Sequence, residues 1–179
     1  MGVKIAAVLW GFAEATLFFV VPDVLLSFVA VRRLRPALIA SLLAACGALA
    51  GGAVMYEWGA QNEAGASAAV QRLPAVGTTM IGKVETDLAE SSLLPLFVGP
   101  FTGTPYKIYA VKAAAQGVSL PVFLLISFPA RALRFLLVSF VVNGLSMTVF
   151  GGWSIERRWM LVGAFWALFY LVFWTLMPS

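Results

Sequence analysis

The stretch EATLFFVVPD, residues 14–23, lies in the first apolar run of the chain and is charged only at its two ends. A single straight helix would set Glu14 and Asp23 about 13 Å apart along its axis and on opposite faces. Each carboxylate would then meet lipid or need its own partner. A break at Pro22 removes that difficulty, because two short helices folded back on each other bring both acids to one cavity. Residues 5–31 are therefore expected to form a re-entrant hairpin, with 5–21 as the descending arm and 23–31 as a shorter returning arm. Non-helical backbone is tolerated at membrane depth only where protein or water covers it, so such a hairpin implies a cavity.

The composition agrees with a membrane setting. Of 179 residues, 61% are hydrophobic and 11% charged, against about 25% charged in ordinary soluble domains. The mean hydropathy is +0.94. One soluble core of this size cannot hide so much apolar surface. The length fits a single domain over 1–179. The net charge of +4 comes from basic residues beside apolar runs, which points to membrane orientation rather than to nucleic acid. Cys46 is the only cysteine, so no intrachain disulfide is expected, and the thiol is expected to pack inside. There is no histidine, which leaves proton chemistry to carboxylates, Lys or Tyr. No metal, cofactor or enzyme activity is expected, for lack of a ligand cluster, a phosphate loop or a nucleophile–base pair. No cleavable leader is expected, since Glu14 follows the first short apolar run without a small-residue cleavage site.

Further along, Arg32, Arg33 and Arg35 precede an uncharged run, 36–56, long enough to cross a hydrocarbon core of about 30 Å. Gly47 and Gly51 form a small-xxx-small pair within it, a helix-contact signal. Residues 57–90, with Glu57, Glu63, Glu85, Asp87 and Glu90, read as a polar connector carrying a surface helix. Residues 91–112 are apolar but broken by Pro95, Gly99, Pro100, Gly103 and Pro105, a density of breakers that predicts no regular helix over 91–106. They are expected to form a second re-entrant hairpin, hinged at Gly99 and Pro105 as the first is at Pro22. Residues 118–142 and 159–177 are the remaining spans, separated by a linker that holds Gly144, Gly151, Gly152, Arg157 and Arg158. Trp153, Trp159 and Trp174 suit interface anchors or lipid-facing bulk. With the first arginine cluster cytoplasmic, Arg157 and Arg158 fall on the same side, as the positive-inside rule requires.

The expected fold is thus an all-α integral membrane protein: two oppositely oriented re-entrant hairpins, each followed by a membrane helix as an inverted repeat, and a C-terminal membrane helix. Paired broken segments in corresponding halves point to a transporter's central site. The first hairpin carries acids and the second carries Lys107 and Lys112, so opposite charges are expected to meet near the middle. Unpaired at the bilayer centre, Glu14, Asp23, Arg131 and Arg134 would together cost roughly 10–14 kcal/mol. They must pair or sit in a wet cavity. Blander roles fit the same residues. Asp23 suits a first-turn helix acid, Lys107 and Lys112 can snorkel, and Arg131 and Arg134, on one helix face, can clamp the acids without touching a ligand.

Three segments, FAEATLFFVVPD (12–23), GPFTGTPYKIYAVKAAAQG (99–117) and SFPARALRF (127–135), resemble the DedA superfamily, also called the VTT or SNARE-associated domain family, and its YqaA-like branch most of all. The resemblance covers roughly residues 8–142. It implies opposed re-entrant hairpins and a role in moving lipids between leaflets, in recycling of the undecaprenyl phosphate carrier or in phospholipid scrambling. Glu14 and Asp23 match the acidic positions, Lys107 a basic position, and Arg131 and Arg134 the arginines of that branch. The chain departs at Gly99-Pro100-Phe101, where many members have a basic residue after the glycine. The function expected is a flippase or scramblase for an anionic lipid, with proton coupling through Glu14 and Asp23 and headgroup binding by Lys107, Arg131 and Arg134. Its partners are membrane lipids and further copies of the chain in a homo-oligomer, and its place is a bacterial inner membrane as a multi-pass protein. The alternatives are a proton-coupled ion or drug efflux carrier and a non-transporting membrane scaffold.

Overall fold

A computed structural model of the chain describes residues 2–89 and 93–176. All regular structure among them is helical: α1 Gly2–Ala15, α2 Asp23–Arg32, α3 Leu34–Gln61, α4 Glu63–Gln71, α5 Thr78–Ala89, α6 Leu94–Thr102, α7 Tyr106–Ala113, α8 Leu120–Thr148 and α9 Ile155–Leu176. Of these, α3, α8 and α9 are long and apolar enough to cross a membrane. Glu90, residues 91–92 and residue 177, which close or open three of the expected segments, lie outside the described residues.

The centre of the fold is α3. Its buried face is nearly all Ala, Ser and Gly, and this smoothness lets neighbouring backbones approach closely. Gly11 on α1 lies against the backbone of Ala44, Gly47 against Val8, and Gly51 against Phe12 and Ala15. A Cβ on Gly11 or Gly47 would overlap the facing carbonyl. The Gly47–Gly51 pair is therefore a helix contact, and α1 runs parallel to α3. On the other side, Ser41 meets Ser139 at 2.8 Å while Tyr56 donates to the Val118 carbonyl at 2.9 Å, so α8 runs antiparallel to α3. Asn143 donates to the Ala30 carbonyl and Ser146 to that of Val31. With Asp23 beside Arg134, these bonds set α2 parallel to α8. Trp159 donates to the Phe28 carbonyl, so both arginine clusters lie at one end of the bundle. Helices α4 and α5 lie at the other end, against α7.

Several boundaries differ from the sequence reading. The first arm stops at Ala15, six residues short of its expected end at residue 21, and 16–22 is non-helical. Thr16 turns its hydroxyl back onto the Ala13 carbonyl at 2.8 Å, and the β-branched and aromatic run after it favours extended backbone. Helix α3 continues to Gln61, and the connector holds two helices rather than one.

Residues 94–102 are helical despite their prolines. Pro95 occupies the first turn, where its missing N–H has no intrahelical partner anyway. Pro100 comes only one turn before the end, and Gly103 closes the helix at φ +85°, a left-handed cap that glycine adopts without strain. Helix α8 runs through Pro129 and takes in Gly144, so the linker shrinks to 149–154. Cys46 is exposed on α3 rather than packed inside, because the small residues of that helix, not its larger ones, face the core.

Candidate functional site

Four elements converge on the turn at 16–22 and the turn at 103–105. The ends of the first turn bond to the flanking helices, Thr16 and Phe18 N–H to the Ala13 carbonyl and Leu26 N–H to that of Pro22, but groups between them lack helical partners. Side chains serve three of those groups: Trp10 Nε1 donates to the Val20 carbonyl at 2.9 Å, Tyr170 Oη accepts from Val21 N at 3.0 Å, and Lys107 Nζ donates to the Phe18 carbonyl at 2.7 Å. This is how irregular backbone is made tolerable away from water. Lys107 therefore reaches the first turn from α7, but it binds a carbonyl and neither acid.

The acids are taken by α8. Arg131 Nη2 donates to Glu14 Oε2. Its guanidinium also stands 5.0 Å from the ring centroids of Tyr106 and Phe135, a cation–π arrangement suited to a desolvated arginine. This pair is sealed, with side-chain exposures of 2% and 7%. One turn on, Arg134 donates to Asp23 Oδ2 at 2.5 Å and to the Pro100 carbonyl at 3.0 Å. The Pro100 carbonyl is available because α6 ends there: the amides of Gly103 and Thr104 both turn back to the Gly99 carbonyl. Each arginine thus touches both halves of the chain, Arg131 through Glu14 and Tyr106, Arg134 through Asp23 and Pro100.

Two expectations need correction. Lys112 does not face Glu14 or Asp23. It lies buried at the connector end, 2.7 Å from Glu63 and 2.6 Å from Glu85, where it ties α4 and α5 to α7. Nor does either lysine snorkel, since both are buried. Of the expected hinges, Pro22 and Pro105 each stand directly before a helix, α2 and α7. Gly99 is inside α6, pressed against the Tyr109 ring so closely that a Cβ there would stand 2.6 Å from it.

The sequence reading passed over Tyr106, Trp10 and Tyr170. Tyr106 directly precedes Lys107 within the quoted 99–117 segment, and that position was the available signal. Trp10 and Tyr170 carry no local signal, because their partners are backbone atoms of a turn whose extent the sequence left open.

The described residues thus form an all-helical protein with three helices long and apolar enough to cross a membrane and a cluster of two arginine–carboxylate pairs. No family model matches the chain, nor does any curated protein or solved structure. Among the described residues no group of acids and cysteine is placed to hold a metal ion.

Proposed function

We propose that the protein moves an anionic lipid headgroup between the leaflets of a cell membrane, as a DedA-like flippase or scramblase. In this reading α1–α2 and α6–α7 are re-entrant hairpins of an inverted repeat, entering from opposite faces and meeting at their tips. The arginine-bearing end is cytoplasmic. The observation that carries the reading is Arg134, a partly open guanidinium shared between Asp23 and Pro100 at the junction of the two hairpins. A phosphate offers such a guanidinium stronger, bidentate bonds than a single carboxylate oxygen and a carbonyl. Protonation of Asp23 removes the competing charge and frees Arg134 for the headgroup. Loss of that proton from Asp23 at the other face restores its pairing with Arg134, displaces the headgroup and completes a cycle without any covalent step.

The test is exchange of labelled phospholipid and labelled polyprenyl phosphate in liposomes holding the purified protein. Exchange of at least one lipid is expected in the wild type and none in Arg134→Ala, with both proteins melting cooperatively. Equal exchange in the variant would contradict Arg134 as the headgroup ligand and leave it a structural clamp, while no exchange by the folded wild type would favour the non-transporting scaffold.

A further inference from the structure

A groove of about 590 Å³ runs between α2, α8 and α9. One end is marked by Ser146 and Arg158, which approach each other to 3.4 Å at the arginine-bearing end of the bundle. The other end is marked by Asp23, Arg134 and Trp166. Residues 134 to 146 of α8 rise about 18 Å, close to the depth of one leaflet of a core about 30 Å thick. Between the ends the wall is aliphatic, with Val138, Val142 and Val162 among its residues. Two polar atoms of the deep end have no hydrogen-bond partner among the described residues: Asp23 Oδ1, an acceptor on a side chain 3% exposed, and Trp166 Nε1, a donor. Buried polar atoms are normally partnered, and a ligand seated at this end of the groove beside the partly exposed Arg134 can supply the missing partners of both.

We propose that this groove holds one hydrocarbon chain of a membrane phospholipid, with the headgroup seated at the deep end on Asp23, Arg134 and Trp166. The headgroup accepts from Arg134 and Trp166 Nε1 and donates an O–H to Asp23 Oδ1. Anionic lipids with a hydroxyl, such as phosphatidylglycerol, satisfy all three groups. Phosphatidylcholine has no hydrogen-bond donor and leaves Asp23 Oδ1 unsatisfied. The inference deepens the lipid-transport reading and rests on it for the headgroup's place at mid-depth.

The experiment uses the full chain in vesicles doped with phosphatidylglycerol or phosphatidylcholine, each carrying a photoactivatable diazirine along one chain, followed by mapping of the labelled peptides. Phosphatidylglycerol is expected to label the groove stretches 137–145 and 161–166 well above the outer face around Cys46. Trp166→Phe is expected to cut that excess about threefold to tenfold, the loss of one hydrogen bond. Val142→Trp, which fills the groove, is expected to abolish the excess while the Cys46 face labels as before; Val138→Phe serves the same purpose should Val142→Trp not melt cooperatively. Labelling of the groove and the Cys46 face to the same extent, or labelling untouched by the filling variants, would overturn the chain site. Equal labelling by both lipids, unchanged in Trp166→Phe, would overturn the headgroup assignment. Labelling needs no transport. Groove labelling in a protein that exchanges no lipid would therefore sink the transport reading and leave the site standing, while exchange with an unlabelled groove would overturn the site alone.

Discussion

The two arginine–carboxylate pairs stand one turn apart on α8, yet their surroundings differ. Glu14–Arg131 is closed on every side, between the α1–α3 contact and the rings of Tyr106 and Phe135. Asp23–Arg134 has a guanidinium 23% exposed and a groove beside it; each pair keeps one buried atom without a partner, Arg131 Nε in the first and Asp23 Oδ1 in the second. Charge and spacing are the same, so the difference comes from packing. The glycines of α1 and α3 draw the first pair into a dry seam, whereas α9, with no buried residue of its own, leaves the second at an open edge. Buried pairs add little net stability over apolar residues, but removing one partner leaves a stranded charge. The sealed pair therefore acts as a clamp, and the edge pair is the one free to work.

The largest effect that can break this comparison is Arg131→Ala. It strands Glu14 in the seam and should destabilise the protein by about 3–5 kcal/mol, read as a lowered melting temperature in detergent; Glu14→Gln with Arg131→Met should recover much of it. A melt like that of the wild type in Arg131→Ala would show that the seam is wet and the pairs equivalent. Next comes Gly47→Val, whose side chain would overlap the Val8 carbonyl. Pushing α1 off α3 should cost about 1–3 kcal/mol, measured the same way, and weaken the clamp without touching either pair.

Asp23→Asn should cost less, about 1 kcal/mol, since the amide oxygen still accepts from Arg134 and only the charge assistance goes. Its expected signature is functional: lipid exchange that no longer responds to pH. Smallest of all is Cys46→Ser, within about 0.5 kcal/mol, while a lipid-soluble maleimide should modify Cys46 in the folded wild type because the thiol is exposed.

The sequence made the need for pairing legible. Glu14, Asp23, Arg131 and Arg134 are too costly in an apolar run to stand alone, and Arg131 and Arg134 share a face by spacing. The small residues of 36–56 likewise announced a close helix contact. Which acid meets which arginine was not legible, because it depends on the length of the turn, and Thr16 ends α1 well before Pro22. The partners of Lys107 and Lys112 were also hidden. One binds a backbone carbonyl, which no sequence pattern marks. The other is captured by Glu63 and Glu85, which only the folding of the connector into α4 and α5 brings near. The exposure of Cys46 followed from the same small-residue face, read in reverse: where Ala and Gly pack inward, larger side chains turn out.

The most direct test of the division between clamp and working pair is a charge reversal at the edge, Asp23→Lys combined with Arg134→Glu, in liposomes assayed for lipid exchange. The ion pair is re-formed with opposite polarity and the Arg134 bond to the Pro100 carbonyl is lost, so the protein should still melt cooperatively with a loss of about 0.5–1.5 kcal/mol. Exchange should be lost, because a carboxylate now stands where the headgroup needs a guanidinium. Wild-type exchange in the reversed protein would contradict the account, since the pair would then serve only to hold α2 against α8.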